Sequence, residues 1–163
     1  IVVLGSGGAR RIPDGYNRED AWNQLVQAVR TIGDIAAGYG LTVAVEPLNK
    51  SETNIINSVE EGIGFVRDVQ HSSIKLTADF YHMRKENDPM HILMEAGRYI
   101  SHLHIANSDG RVYPLEPAED AYDVFFNALQ KTGYQDRISI EGGTKDIEKD
   151  GPVALSVLKG FLK

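Results

Sequence analysis

Four stretches of the sequence decide the fold: LTVAVEPL (41–48), IKLTADFYH (74–82), ISHLHIANS (100–108) and ISIEGG (138–143). Each contains an apolar run with β-branched residues, which is typical of strands buried in a parallel sheet. Glu46, Asp79, His104 and Glu141 lie at or just past the carboxyl ends of these runs. Because the carboxyl ends of parallel strands emerge on one edge of a sheet, we expect the four side chains to converge.

Helical segments separate these strands and a fifth strand-like run, IVVLGSGG (1–8). Asn17 is a natural N-cap for the first helix, and Gly40 is a natural end. Ser58 and Glu61 have the spacing of a capping box at the start of the second helix. The remaining helices are predicted to begin at 88–89 and to span 118–132 and 152–162. Strands that alternate with helices in this way predict an α/β fold with a parallel sheet and right-handed crossovers.

The number of strand–helix units distinguishes two architectures. A complete eightfold barrel needs about 250 residues, whereas this chain of 163 residues holds five units. An open, doubly wound sheet usually concentrates its chemistry at one switch point. Polar ligand types at four of the five strands therefore favour the barrel. We predict a single domain over residues 1–163 that forms the C-terminal part of a TIM-type barrel within a longer chain. The free sheet edges of such a piece favour a homo-oligomer.

Composition excludes several functional classes. The formal net charge of -6 argues against non-specific nucleic-acid binding, which needs a basic surface. No apolar stretch approaches the length of a membrane span, and no secretory leader pattern is visible. The absence of cysteine rules out disulfides, thiolate zinc sites and a thiol nucleophile. These features predict a cytoplasmic protein that binds neither nucleic acid nor membrane.

The convergent residues predict a metal centre. One carboxylate at a strand end is commonly an ordinary surface group, but four such coincidences in four consecutive strands indicate a shared site. Three carboxylates and an imidazole suit Mn²⁺, Mg²⁺, Co²⁺ or a similar divalent ion. His102 alternates with His104 along β-type sequence, so both point to the same side of the sheet. We therefore predict that His102 supports a ligand or contacts the substrate.

The motifs VEPLNKSETN (45–54), ADFYHM (78–83), HLHIANSDGR (102–111) and SIEGG (139–143) resemble those of a known family. This family consists of the xylose isomerase-like barrels that isomerise or epimerise sugars. Its best-described branch is the D-tagatose and D-psicose 3-epimerases. The resemblance covers nearly the whole chain, as the last five of eight strand–helix units. It implies one divalent cation, Mn²⁺, Mg²⁺ or Co²⁺ with Zn²⁺ possible, held by Glu46, Asp79, His104 and Glu141. It also implies substrate contacts from Glu52, His82 and Arg111.

The resemblance implies an isomerase that acts on a sugar or a sugar phosphate. Such a reaction removes a proton next to a carbonyl, forms an enediolate and returns the proton elsewhere. Glu46 and Glu141 come from the first and last strands of the set, so we predict that they flank the carbohydrate and exchange the proton. The alternatives are a dehydratase of the inosose or dehydroshikimate type, an endonuclease IV-type enzyme, and a barrel fragment without catalysis. We expect the isolated chain to retain its metal ligands but to turn over weakly.

The glycine-rich segment GSGGARR (5–11) leaves three interpretations open. A phosphate-binding turn requires a helix to begin at once, but the next predicted helix begins about ten residues later, so the dinucleotide fingerprint fails. The segment is otherwise a plain barrel loop or a loop that presents Arg10 or Arg11 to the substrate.

Overall fold

The computed structural model describes residues 1–162 and contains a sheet of five parallel strands in the order β1-β2-β3-β4-β5. The strands are β1 (Val2–Leu4), β2 (Val43–Val45), β3 (Ile74–Asp79), β4 (Ile100–Ile105) and β5 (Ile138–Ile140). The helices are α1 (Gly7–Arg10), α2 (Arg18–Gly38), α3 (Val59–Val69), α4 (Phe80–Glu86), α5 (Ile92–Ala96), α6 (Tyr122–Gln130) and α7 (Ile147–Gly160). A 3₁₀ turn over Gly97–Tyr99 leads into β4.

The sheet is curled into half of a barrel, as predicted. Adjacent strands are about 4.8 Å apart, so a flat sheet would set the ends of β2 and β5 about 14 Å from each other. Instead, Glu46 after β2 and Glu141 after β5 both reach the imidazole of His104. Within residues 1–162, β1 and β5 each pair with a strand on one side only.

The hydrophobic core lies between the outer face of the sheet and the helices. Phe65 of α3, Phe80 of α4, Leu103 of β4 and Phe125 of α6 are all fully buried there. Burying one such side chain contributes about 1.5–3 kcal/mol relative to leaving it exposed. This packing on the outer face holds the sheet in its curled form, so that the polar strand ends face one another on the inside.

Helices α2 and α3 begin at the capping residues that the sequence predicts. Asn17 Oδ1 accepts hydrogen bonds from the backbone of Glu19 at 2.8 Å and of Asp20 at 3.0 Å, so α2 begins as predicted. The predicted capping box of α3 forms only in part. Ser58 Oγ accepts from the Glu61 backbone at 3.0 Å, but the Glu61 carboxylate accepts from the backbone of Asn57 instead of that of Ser58.

Other helix boundaries differ from the predictions. Helix α7 begins at Ile147 because Asp146 caps it by accepting from the backbone of Lys149 at 3.1 Å, so the predicted start at Pro152 is wrong. Helix α6 is shorter than 118–132. The sequence did not predict α1 or α4, and α4 begins directly after Asp79. None of the helices in residues 1–162 combines the length and hydropathy that a membrane span requires.

Candidate metal centre

The structure brings Glu46, Asp79, His104 and Glu141 together at the carboxyl edge of the sheet. One ligand atom from each residue lies within 4.8 Å of the ligand atoms of the other three. Glu46 and Glu141 directly follow β2 and β5, whereas Asp79 ends β3 and His104 lies one residue before the end of β4. The convergence predicted from the strand ends is therefore present. Glu46, Asp79 and His104 are buried, whereas Glu141 is exposed.

The imidazole of His104 lies at the middle of this cluster. Its Nδ1 atom is 2.7 Å from Glu46 Oε1, 3.1 Å from Glu141 Oε2 and 3.9 Å from Asp79 Oδ2. Asp79 Oδ1 accepts from the backbone of Tyr81 at 2.7 Å, whereas its Oδ2 is buried and has no hydrogen-bond partner among residues 1–162. A buried carboxylate oxygen without a partner is costly, and it is directed towards the other ligand atoms. This donor set of three carboxylates and one imidazole fits a divalent cation.

The shifted pKa values reflect the concentration of carboxylates in the cluster. Burial, together with the nearby charge of Glu46, raises the pKa of Asp79 to about 8. Burial would lower the pKa of His104, but its hydrogen bonds with Glu141 and Glu46 raise that pKa to about 10. The same hydrogen bond with His104 lowers the pKa of Glu141 to about 2. A bound divalent ion would supply the positive charge that the protonated imidazole supplies here.

Arg111 extends the site towards solvent. Its Nη2 atom donates to Glu141 Oε2 at 2.7 Å, and its Nη1 atom donates to Glu52 Oε1 at 3.4 Å. The guanidinium carbon lies 4.8 Å from the centre of the Tyr81 ring, a cation–π arrangement. The backbone of Arg111 is left-handed, with φ 52°, and its carbonyl accepts from the Gly143 backbone at 2.8 Å. The loop thus directs this side chain inwards from an unusual backbone conformation.

His82 and Glu52 lie in the same wall. The backbone of Asn49 donates to His82 Nδ1 at 3.0 Å, so the neutral ring carries its proton on Nε2, which lies 3.8 Å from Asp79 Oδ2. Burial lowers the pKa of His82, which favours this neutral form. The Asn49 side chain also donates to Glu52 Oε1 at 3.0 Å. Three of the four residues predicted to contact substrate, Glu52, His82 and Arg111, therefore lie around the cluster.

His102 lies inside the half-barrel, further than His104 from the carboxyl ends of the strands. Its Nε2 atom pairs with Ser139 Oγ at 2.9 Å, and its ring meets that of His104 edge-on at a centroid distance of 5.1 Å. It precedes His104 by two residues on the same face of β4, which places it one layer further from the carboxyl edge. Contact with the ligand residue agrees with a supporting role, whereas its predicted contact with substrate stays a prediction.

Sequence reasoning missed two residues that shape the site, Asn49 and Tyr81, and named a third, Arg10, only as a candidate substrate contact. Asn49 orients both His82 and Glu52, and Tyr81 lies against the guanidinium of Arg111. Arg10 is buried and contacts the backbone of Glu46. An asparagine two residues after a strand-ending proline signals a polar turn, and this signal was available for Asn49. The sequence contains no comparable signal for Tyr81.

The comparisons with known proteins agree with this geometry. The family model described as xylose isomerase-like TIM barrel matches residues 1–159. The chain is 30% identical over 118 residues to a D-psicose 3-epimerase of Ruminiclostridium cellulolyticum, covering 68% of this chain and 40% of that protein. It is 32% identical over 138 residues to an L-ribulose 3-epimerase of Methylomonas sp., covering 84% of this chain and 47% of that protein. The chain thus spans less than half the length of these relatives.

A solved structure shows the same fold over nearly the whole chain. The crystal structure of a D-allulose 3-epimerase from Methylomonas sp. superimposes with a TM-score of 0.83 at 26% identity. The match covers 93% of this chain and 59% of that one. The five strand–helix units described above therefore correspond to a part of a larger barrel.

Proposed function

Since the chain belongs to the xylose isomerase-like TIM barrel family, we propose that it carries the metal-binding and proton-transfer residues of a divalent-metal-dependent ketose epimerase. The observation that carries this proposal is the convergence of four ligand atoms within 4.8 Å. Two relatives that share about a third of the aligned residues are named as 3-epimerases of D-psicose and L-ribulose. The proposed substrate class is therefore a ketose, with or without a phosphate.

Glu46, Asp79, His104 and Glu141 would hold the cation, for which Mn²⁺, Mg²⁺ and Co²⁺ are the leading candidates and Zn²⁺ is a further one. When bound, such an ion acts as a Lewis acid that stabilises negative charge on neighbouring substrate oxygens. The orphaned Asp79 Oδ2 and the shortage of positive charge around His104 support this assignment.

Glu46 and Glu141 are the proposed pair for proton transfer. One carboxylate removes the proton from the carbon next to the carbonyl, which leaves an enediolate on the substrate. The other carboxylate returns a proton to the opposite face of that carbon, so the configuration inverts and the proton count balances. Glu46 is buried and Glu141 is nearly half exposed, so the two carboxylates approach the cluster from its inner and outer sides.

The polar wall formed by Glu52, His82 and Arg111 is proposed to orient the sugar. His82 Nε2 and the Arg111 guanidinium can donate hydrogen bonds to hydroxyl or carbonyl oxygens, and the Glu52 carboxylate can accept from a hydroxyl. The ion pair of Arg111 with Glu141 also places a positive charge beside a carboxylate that exchanges a proton. We further propose that carbohydrate is the partner at this site and that the protein acts in the cytoplasm as a homo-oligomer.

Solvent exchange tests this function. The chain is loaded with Mn²⁺ and incubated in D₂O with a panel of ketoses, including D-psicose and L-ribulose. We expect the sugar to acquire deuterium at the epimerised carbon, even if turnover is slow. Glu46→Gln and Glu141→Gln should each reduce this incorporation by roughly 10²–10⁴-fold, the usual contribution of acid–base catalysis. Glu116→Gln, at an exposed position outside the site, is the matched control.

Two outcomes would contradict the proposal. If no ketose incorporates deuterium, or if incorporation persists in both glutamine variants, then Glu46 and Glu141 are not the proton-transfer pair. Loss of water with new ultraviolet absorbance would instead indicate the dehydratase alternative.

A further inference from the structure

The segment 5–10 (GSGGAR) follows β1 and has no task in the function proposed above. In the structure it lies against Glu46, although about forty residues separate the two in the sequence. Gly5 faces the side chain of Glu46, and Arg10 contacts its backbone. These two contacts act on the same residue from different sides.

Arg10 joins the carboxyl ends of β1 and β2. Arg10 is only 8% exposed, and its guanidinium donates through Nη2 to the carbonyl of Glu46 and through Nη1 to the carbonyl of Leu4 at 3.2 Å. The Leu4 carbonyl also accepts from the backbone of Glu46 at 3.2 Å. Arg10 therefore holds the Glu46 carbonyl directly. It also contacts the Leu4 carbonyl to which the Glu46 N–H donates.

Burial of this arginine is energetically expensive. Within the part of the chain that the structure describes, its Nε atom is buried and has no hydrogen-bond partner. Burial lowers the pKa of Arg10, while the charges of Glu46 and Glu52 oppose that change. The neighbouring Arg11 is different, because it is exposed and donates to the Ser51 carbonyl at 3.3 Å. Of the two adjacent arginines, Arg10 makes a buried contact with Glu46, whereas Arg11 makes an ordinary surface contact.

Gly5 provides the space in which the Glu46 carboxylate lies. A Cβ atom added at Gly5 would overlap with Glu46 Oε2, which is the end of a flexible side chain. A substitution at this position would therefore move the carboxylate and leave the backbone intact. A Cβ atom added at Gly8, three residues later, would meet nothing within 4 Å.

We propose that segment 5–10 is the positioning element of Glu46: Gly5 leaves room for its carboxylate, and Arg10 holds its backbone in place. This inference rests on the proposed function, in which Glu46 binds the cation and exchanges the proton. Arg10 is a positioning residue, because it contacts a peptide carbonyl and no reacting atom. Gly5 thus serves the carboxylate at the end of a neighbouring strand.

Manganese binding is the first test. Electron paramagnetic resonance of free Mn²⁺ measures the dissociation constant of the chain and of Gly5→Ala and Arg10→Lys. Residues that orient a metal ligand typically change affinity by about 10- to 100-fold, and we expect losses in this range. Gly8→Ala and Arg11→Lys are the matched controls and should bind Mn²⁺ as the unchanged chain does. Circular dichroism confirms that each variant is folded, and Gly5→Ala alone decides the matter if Arg10→Lys does not fold.

A second readout needs no metal. The ¹⁵N NMR resonances of the His104 ring report its 2.7 Å hydrogen bond with Glu46. In the metal-free protein these resonances should shift in Gly5→Ala and Arg10→Lys and stay in place in the two controls. Unchanged resonances in Gly5→Ala and Arg10→Lys would overturn the positioning role. Failure of the unchanged chain to bind Mn²⁺ would overturn the proposed function, and the NMR comparison would then decide the positioning role by itself.

Discussion

The Nδ1 atom of His104 lies 2.7 Å from Oε1 of Glu46, although 58 residues separate these two residues in the chain. The contact joins the carboxyl ends of β2 and β4 across the intervening β3. The contact places an imidazole among three carboxylates, and the curl of the sheet also brings Glu141 after β5 to the same imidazole. The candidate site is therefore a direct product of the barrel curvature that the outer core maintains.

Asp79→Asn should make the metal-free protein more stable and abolish its metal binding. The pKa of Asp79 is raised to about 8, so its contribution to stability declines as the pH rises from the ordinary range of an aspartate through that value. At pH 9 the Asp79 carboxylate is mostly ionised, and removal of this buried charge should increase the free energy of unfolding by about 1–3 kcal/mol. Each kcal/mol corresponds to about 2–4 °C in Tm for a chain of this size.

Calorimetry in EDTA at pH 9, followed by Mn²⁺ titration, measures both effects of Asp79→Asn. The opposite signs are the control, since a variant that is merely misfolded loses stability and binding together. A lower Tm in EDTA, or an unchanged affinity for Mn²⁺, would contradict the assignment of Asp79.

Gly142→Ala should displace the loop that carries Arg111. A Cβ atom at Gly142 would lie 2.9 Å from the backbone carbon of Val112 and 3.1 Å from the carbonyl oxygen of Arg111. Backbone atoms cannot rotate away as a side chain can, so we expect a loss of about 1–3 kcal/mol, typical of overpacking. At Gly143 the nearest atom to an added Cβ is 3.8 Å away, so Gly143→Ala is the matched control. Equal denaturation midpoints for the two variants would show that this contact does not constrain the loop.

The sequence predicted the four convergent residues because their positions depend on local patterns. An apolar run followed by a polar residue marks a strand end, and parallel topology then brings the ends together. Arg10 lacked such a signal, because its role depends on carbonyl groups that folding brings to it from a distant part of the chain. Arg111 was named, but its positive φ was not foreseen, since arginine has no preference for the left-handed region.

The helix boundaries show a second limit of sequence reasoning. The sequence predicts a start at Pro152 for α7, but Asp146 caps the helix and Pro152 lies inside it. Asp79 is a strand residue, a predicted ligand and the N-cap of α4 at once. Its capping role was missed because the pattern of a strand and that of a following helix overlap at this residue.

Asp120→Asn should destabilise the loop after β4 in a pH-dependent manner. The Asp120 carboxylate is almost fully buried and accepts from the backbone of Ser108 at 2.8 Å and from Arg84 Nε at 2.9 Å. Burial alone would raise the pKa of Asp120, but these hydrogen bonds lower it below the usual value. The contribution of Asp120 to the free energy of unfolding is therefore present above about pH 4, and it is lost as the pH falls through the lowered pKa.

We expect Asp120→Asn to cost about 1–3 kcal/mol at pH 7, the usual range for a buried hydrogen bond to a charged group. The difference in Tm from the unchanged chain should shrink towards pH 3. Asp109→Asn, an exposed position in the same loop, should change Tm little at any pH. A difference for Asp120→Asn that is constant from pH 7 to pH 3 would be inconsistent with an ionised, hydrogen-bonded carboxylate.

The central claim is that Glu46, Asp79, His104 and Glu141 form one cation site, and anomalous diffraction from crystals soaked in Mn²⁺ tests it most directly. We expect a single strong peak within coordination distance of all four side chains. A peak elsewhere, or no peak among these four residues at saturating Mn²⁺, would contradict it.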